Sequence, residues 1–216
     1  LPSSPLWDIG NKRHLRMNRW NEFEQNFNGK IISDKVTVIC PIFNTYPEII
    51  GCLLAQTHKN WELLLVHDGP NNTGVKKVVE AANDNRIKYW ETKERVGNWG
   101  HKIRRDVLAS LKDEDTGYVL IGNPDNHIVP PFLEYMIKPM LNNRNILASY
   151  CSSMVHSYKN WDVIPCSLKR GFLDCMGVVV RKDIACDVGF AEVEHHSADY
   201  FYFESIIKKY GAHTFA

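Results

Sequence analysis

The sequence predicts an α/β fold: a mainly parallel, Rossmann-like sheet with helices on both faces. Two observations lead there. Four short apolar runs, at 36–40, 61–66, 87–91 and 118–121, alternate with stretches whose apolar residues recur at helical spacing. This β-α-β-α-β-α-β order, with short connections, calls for parallel strands joined by right-handed crossovers. The runs VTVIC, ELLLV and YVLI are also continuous rather than alternating, as strands covered on both faces require.

Bulk properties narrow the class. A chain of 216 residues with 44% hydrophobic content suits one domain with a full core. A net charge of +1 implies no polyanion-binding surface, so no nucleic-acid partner is expected. No apolar stretch reaches 18 residues and no signal peptide is visible, so no transmembrane segment is expected. The cysteines at 40, 52, 151, 166, 175 and 186 lack CxxC spacing and read as reduced thiols. That points to the cytoplasm, the host's if the chain is viral.

Residues 1–35 form a polar N-terminal extension with Trp7 and Trp20 and a short helix over 13–27; the main domain is 36–216. The first strand ends on Pro41-Ile42-Phe43-Asn44. Pro47 then suits a helix start, and Ile49, Ile50, Leu53 and Leu54 form its apolar stripe. The second strand ends on His67-Asp68-Gly69-Pro70, and Val75, Val78, Val79 and Ala82 mark the next helix. After the third strand, Gly97-Asn98-Trp99-Gly100 is a loop before the helix of Ile103, Val107, Leu108 and Leu111. The fourth strand breaks on Gly122 and presents Asn123, Pro124, Asp125 and Asn126; a helix follows Pro130-Pro131. Beyond 146 the pattern loosens. It gives a strand within 147–151, a long loop over 157–172, a strand over 175–180 and an amphipathic helix marked by Tyr200, Phe203, Ile207 and Tyr210. The chain begins without methionine, and 213–216 reads as a strand beginning, so the first domain of a longer protein is expected.

A strand that stops on a carboxylate delivers it to the carboxyl edge of the sheet, where open α/β sheets bind ligands. Asp125 therefore reads as a metal and diphosphate anchor; an ordinary turn pair, Asp125-Asn126, is the competing reading. The absence of GxGxxG and GxxxxGK[ST] excludes a dinucleotide fingerprint and a P-loop.

The run VTVICPIFNTYPEIIGCLLAQTHKNWELLLVHDG, with NPDN and GFAEVEHHSADYFYFESIIKKYG after it, resembles the inverting family 2 glycosyltransferases of GT-A fold. The matching pieces are Pro41, Phe43, Asn44, Gln56, Thr57, His67, Asp68 and Gly69, where the family has Pro-x-(Tyr/Phe)-Asn, Gln-Thr and Asp-Asp-Gly. The resemblance covers roughly 36–211, specific in the first half and loose in the last third. It implies that Pro41, Phe43, Asn44 and Asp68 hold the nucleotide, and that Gly97, Asn98 and Lys102 lie at a helix N-terminus able to receive an anion. His67 stands where the family has its first aspartate. Asn123 and Asp125 match the family's Asp-x-Asp, so Asp125 is the expected ligand of Mn2+ or Mg2+, and Asn123 lowers the charge offered to it. Asp199 matches the catalytic base, although a carboxylate in a helix's first turn is favoured anyway. Glu192, Glu194 and Asp174 are alternatives. Asp174, Trp161 and His196 are acceptor-side candidates, and Trp99 and Tyr158 are further aromatic faces for a sugar. Lys102, Arg104 or Arg105 can add charge for the anion at that helix N-terminus, although for each arginine singly a solvated helix residue is the favoured reading. Gln-x-x-Arg-Trp, the processive signature, is absent, which favours single-sugar transfer.

The resemblance thus implies a nucleotide-sugar donor, UDP-linked before GDP-linked, and a glycan or glycoprotein acceptor. A non-catalytic binding module is the rival, motivated by Asn123. A nucleotidyltransferase would instead release pyrophosphate from a nucleoside triphosphate.

Overall fold

The computed structural model describes residues 33–43, 46–71, 74–111, 117–157, 160–193 and 195–216. The helix at 13–27, Trp7, Trp20, Asn44, Tyr158 and Glu194 lie outside the described residues, as do the side chains of residues 156, 157, 160 and 161.

Eight strands are described: β1 (Val36–Ile42), β2 (Trp61–His67), β3 (Ile87–Glu91), β4 (Tyr118–Ile121), β5 (Ala148–Tyr150), β6 (Ser153–Ser157), β7 (Asn160–Ile164) and β8 (Val178–Arg181). Six helices accompany them: α1 (Glu48–Leu54), α2 (Val75–Ala82), α3 (His101–Ser110), α4 (Phe132–Asn142), α5 (Lys182–Val188) and α6 (Ala198–Tyr210). The main sheet has the order β3-β2-β1-β4-β8-β5. β3, β2, β1 and β4 are parallel, and β8 runs antiparallel to both β4 and β5.

The continuous apolar runs are explained by two-sided cover. One face of β1 (Val36, Val38, Cys40, Ile42) packs with α1, α2 and α4 in the main apolar cluster. Ile39, Val119 and Val180 turn to the other face, where α3, α5 and α6 lie. Along the chain the sheet grows from β1 towards β3, then reverses to place β4 on β1's other side. The carboxyl ends of β1 and β4 are therefore a topological switch point, the usual place for a ligand crevice. Because β8 is antiparallel, with Leu120 opposite Val179, its first residue lies beside the last of β4. That register carries the turn before β8 to the same edge.

Several expectations are corrected. The long loop expected over 157–172 contains most of a hairpin, β6 paired with β7 from Ser153↔Ile164 to Ser157↔Asn160. Met154, Val155, Val163 and Ile164 are all exposed there, so the strands show no alternation by which a sequence reading detects them. The strand expected over 175–180 begins only at Val178. Asp174 accepts from the Met176 amide at 2.8 Å and caps Cys175–Gly177 as a 3-10 turn. Helix α5 was not anticipated, its seven residues being too few for a clear period. Leu54 is exposed because α1 stops there rather than returning a further turn to the core. At 213–216 the chain makes a 3-10 turn, Ala212–Thr214, and then one parallel bridge, Phe215 to Ala148.

All six cysteines are free. Burial pushes the Cys40 and Cys175 thiols up to about 12, so both stay protonated. Among the described residues no helix is long and apolar enough to cross a membrane.

Candidate functional site

The turn after β4 is built by backbone pairing. The Gly122 amide donates to the Ile39 carbonyl at 2.7 Å, and the Pro124 carbonyl accepts from the Ile49 amide at the start of α1, at 3.2 Å. Downstream, the buried Gln56 side chain donates to the Cys52 and Val129 carbonyls and accepts from the Leu133 amide. Thr57 adds bonds to Pro130 and Glu134. The Gln-Thr pair thus anchors the segment between Asp125 and α4. Asp125 itself is exposed and, among the described residues, makes no hydrogen bond or ion pair.

A second segment approaches from β2 and β3. Asp68 is 4% exposed, and its two carboxylate oxygens accept from the Val96 and Gly97 amides at 2.7 and 3.0 Å. Both oxygens face the loop. His67 is fully buried, its Nδ1 2.7 Å from the Gly69 carbonyl. The Arg95 guanidinium lies 3.8 Å over the Phe43 ring, and Phe43 is 6.2 Å from the His67 ring.

Four consecutive residues then take positive φ: Gly97 (67°), Asn98 (48°), Trp99 (51°) and Gly100 (74°). For tryptophan this conformation costs about 1–2 kcal/mol. Such strain persists only where its surroundings enforce it. Here Asp68 holds one end of the loop. The other packs against Pro41, whose Cβ would lie 2.5 Å from a Cβ at position 100. Trp99 projects at 66% exposure and Asn98 is exposed. The Trp99 ring abuts His101 at 5.9 Å, and His101 abuts Phe190 at 5.8 Å.

The three basic residues of α3 differ. Lys102 is solvent-facing and paired with Asp106. Arg105 reaches Glu192 at 4.0 Å. Arg104, read as solvated, is buried. Its Nη1 donates to the Trp99 carbonyl at 2.5 Å, and its Nη2 to the Gly122 carbonyl at 3.3 Å and Asn123 Oδ1 at 2.7 Å. The signal was its place beside Ile103, Val107 and Leu108 on the inward stripe of α3, with His101 one turn earlier.

The third segment is the turn before β8 and the start of α6. Asp174 is exposed apart from its cap to Met176. Cys175 Sγ is 4.0 Å from Asp199 Oδ2, and Asp199 Oδ1 accepts from the Tyr200 amide at 2.7 Å. Asp199 is half-buried. Its carboxyl is pushed above the usual range by burial first and by the neighbouring Asp174; the Tyr200 amide and the Arg104 charge oppose this. The Arg104 charge acts on both Cys40 and Asp199, and Asp125 also acts on Cys40. The Arg104 charge is thus felt both at the end of β1 and at the start of α6. His196 is exposed, and its ring lies 4.0 Å from that of His195. Trp161 lies in β7.

Residues 37–174 match the family model described as glycosyl transferase family 2. The chain belongs to glycosyl transferase family 2.

WfgD of Escherichia coli, a UDP-Glc:alpha-D-GlcNAc-diphosphoundecaprenol beta-1,3-glucosyltransferase, is 26% identical over 190 residues, covering 80% of this chain and 70% of that protein. Staphylococcus aureus TarS 1-349, in complex with UDP, superposes with a TM-score of 0.61 at 16% identity, over 80% of this chain and 55% of that one. The Pyrobaculum calidifontis mannosyltransferase PcManGT, in complex with GDP-Man and Mn2+, gives 0.58 at 15% identity, over 88% and 59%. These two solved structures show a shared GT-A type fold. The chain spans a fifth or less of the length of other curated relatives it matches.

Family 2 membership implies a divalent cation, and the residues at the switch point can be tested against one. Among the described residues no group of three His, Cys, Asp or Glu side chains is placed to hold a metal. The Asn123 oxygen accepts from Arg104, which leaves Asp125 as the carboxylate of the turn. Mg2+ and Mn2+ are commonly held by one or two carboxylates, with substrate phosphates and water completing the shell. The site fits a cation that arrives with a diphosphate, and does not fit a preformed cage.

Proposed function

We propose that this domain transfers a single sugar from a UDP-sugar to a hydroxyl of a glycan or glycoprotein acceptor, with inversion. The observation that carries the reading is the half-buried Asp199 carboxylate, set against the turn before β8 and so near the end of β4, from which the turn bearing Asp125 leads. In this reading Asp199 takes the proton of the acceptor hydroxyl as that oxygen bonds to the anomeric carbon. The bond from that carbon to the diphosphate breaks on the opposite side, and UDP leaves with the electron pair. Asp125 would hold Mn2+ or Mg2+, which supplies Lewis-acid neutralisation of the diphosphate charge. Pro41, Phe43 and the 97–100 turn border the nucleotide, with Asp68 acting through the loop it holds. Asp174, Trp161 and His196 are proposed for the acceptor side.

The test is transfer and slow hydrolysis of UDP-sugars by wild type, Asp125→Ala and Asp199→Asn. Asp199→Asn should lose about 10²–10⁴-fold in transfer and keep UDP binding. Because the Asp199 carboxyl is held above its ordinary range, the wild-type rate should rise with pH as it ionises, and Asp199→Asn should lack that limb. Undiminished turnover by Asp199→Asn refutes the base assignment. UDP binding by wild type without release or transfer across several donors and acceptors supports a binding module instead.

A further inference from the structure

Arg104 is 5% exposed and forms no salt bridge among the described residues. Its Nη groups meet neutral acceptors only: the Trp99 and Gly122 carbonyls, Asn123 Oδ1, and His101 Nδ1 at 3.4 Å. Its Nε is buried without a partner. Dipoles satisfy the donors of a guanidinium but leave its charge in place; the Asp199 carboxyl feels that charge without pairing with it, and burying a charge without a paired counter-ion is unfavourable. At the carboxyl edge of the sheet, where ligands bind, such a charge can be answered by an anion that arrives from outside. The Asn123 amide accepts from it without bringing a counter-charge. A carboxylate at 123 would pair with it outright, and the amide oxygen, turned to the guanidinium, is withdrawn from any divalent ion.

We propose that Arg104 is a fixed internal cation beneath the diphosphate subsite, so that this domain binds a nucleoside diphosphate with little help from a divalent ion, whose part at Asp125 is confined to the departure of the diphosphate. The inference rests on the donor reading given above. Arg104 does not touch the ligand; it acts through its field and through the two segments it ties together, the 97–100 turn and the end of β4.

The experiment compares UDP binding by calorimetry, and uridine binding by ligand-observed NMR, in EDTA and in Mn2+. Wild type, Arg104→Met and Asn123→Asp are measured on the whole chain. Wild-type affinity for UDP should differ by less than about fivefold between EDTA and Mn2+. Asn123→Asp, nearly isosteric, should bind UDP at least about tenfold more weakly in EDTA, because its carboxylate cancels the guanidinium, and should recover with Mn2+. Arg104→Met should lose at least about tenfold for UDP in EDTA while uridine stays within about twofold, a split that a merely structural role would not produce. If Arg104→Met fails to fold, Asn123→Asp carries the test. Wild-type UDP binding that collapses by more than about 100-fold in EDTA overturns the inference and leaves the donor reading standing. So does an Asn123→Asp protein indistinguishable from wild type. Wild type that binds neither uridine nor UDP defeats both.

Discussion

Asp68→Ala separates two roles for one carboxylate. The resemblance assigns Asp68 to the nucleotide, yet both its oxygens accept backbone amides of the 96–97 loop, at 2.7 and 3.0 Å, in a site 4% exposed. Hydrogen bonds to a charged group contribute about 1.5–3 kcal/mol each. Removing the carboxylate strands two amide donors, so the substitution should cost about 3–5 kcal/mol. At about 2–4 °C per kcal/mol for a chain of this size, melting should fall by about 6–20 °C. Asp68→Asn retains one acceptor and should lose about half as much. The assay is thermal unfolding followed by circular dichroism without nucleotide, with UDP binding measured separately well below the transition. Melting of Asp68→Ala within about 2 °C of wild type, together with abolished UDP binding, would refute the loop-holding role. The carboxylate would then act on the ligand itself.

Two further substitutions probe the same corner. Gly100→Ala combines a positive φ of 74° with a Cβ placed 2.5 Å from Pro41 Cβ and should destabilise by about 2–4 kcal/mol, read as a shift in urea midpoint; an unchanged midpoint would show that the turn yields freely. Burial, reinforced by the Arg104 charge, holds the His101 imidazole down at about 4 against an ordinary 6.5. Between those values the unfolded chain binds the proton that the folded one refuses. Stability should therefore be fully present above pH 6.5 and decline as pH falls towards 4. His101→Gln should flatten that decline in urea titrations at pH 7 and pH 5; an identical slope in the variant would place its origin elsewhere.

Much of the sheet was legible because two-sided burial demands apolar runs, and β1, β2 and β4 each show one, whereas β3, at the sheet edge, buries only Ile87. The second half was less so. Its strands are short, two of them form a hairpin that exposes its apolar side chains, and the turn before β8 is set by a single capping carboxylate. At the site, Asp125 could be placed from the sequence because a strand end is a local feature. Arg104 could not be assigned a partner that way, because Gly122 and Asn123 lie 18 and 19 residues further along the chain.

By itself, then, the sequence determined the layered α/β architecture and the strand ends that carry Asp68 and Asp125, since apolar periodicity is a property of consecutive residues. Only the tertiary structure decided that Asp68 faces its own loop, that Arg104 lies beneath Asn123, and that Asp199 reaches the edge where β4 ends. Those relations arise when the reversed strand β8 and helix α3 fold against β1 and β4, and hydrogen-bond partners brought together across the sheet leave no repeating mark in the chain.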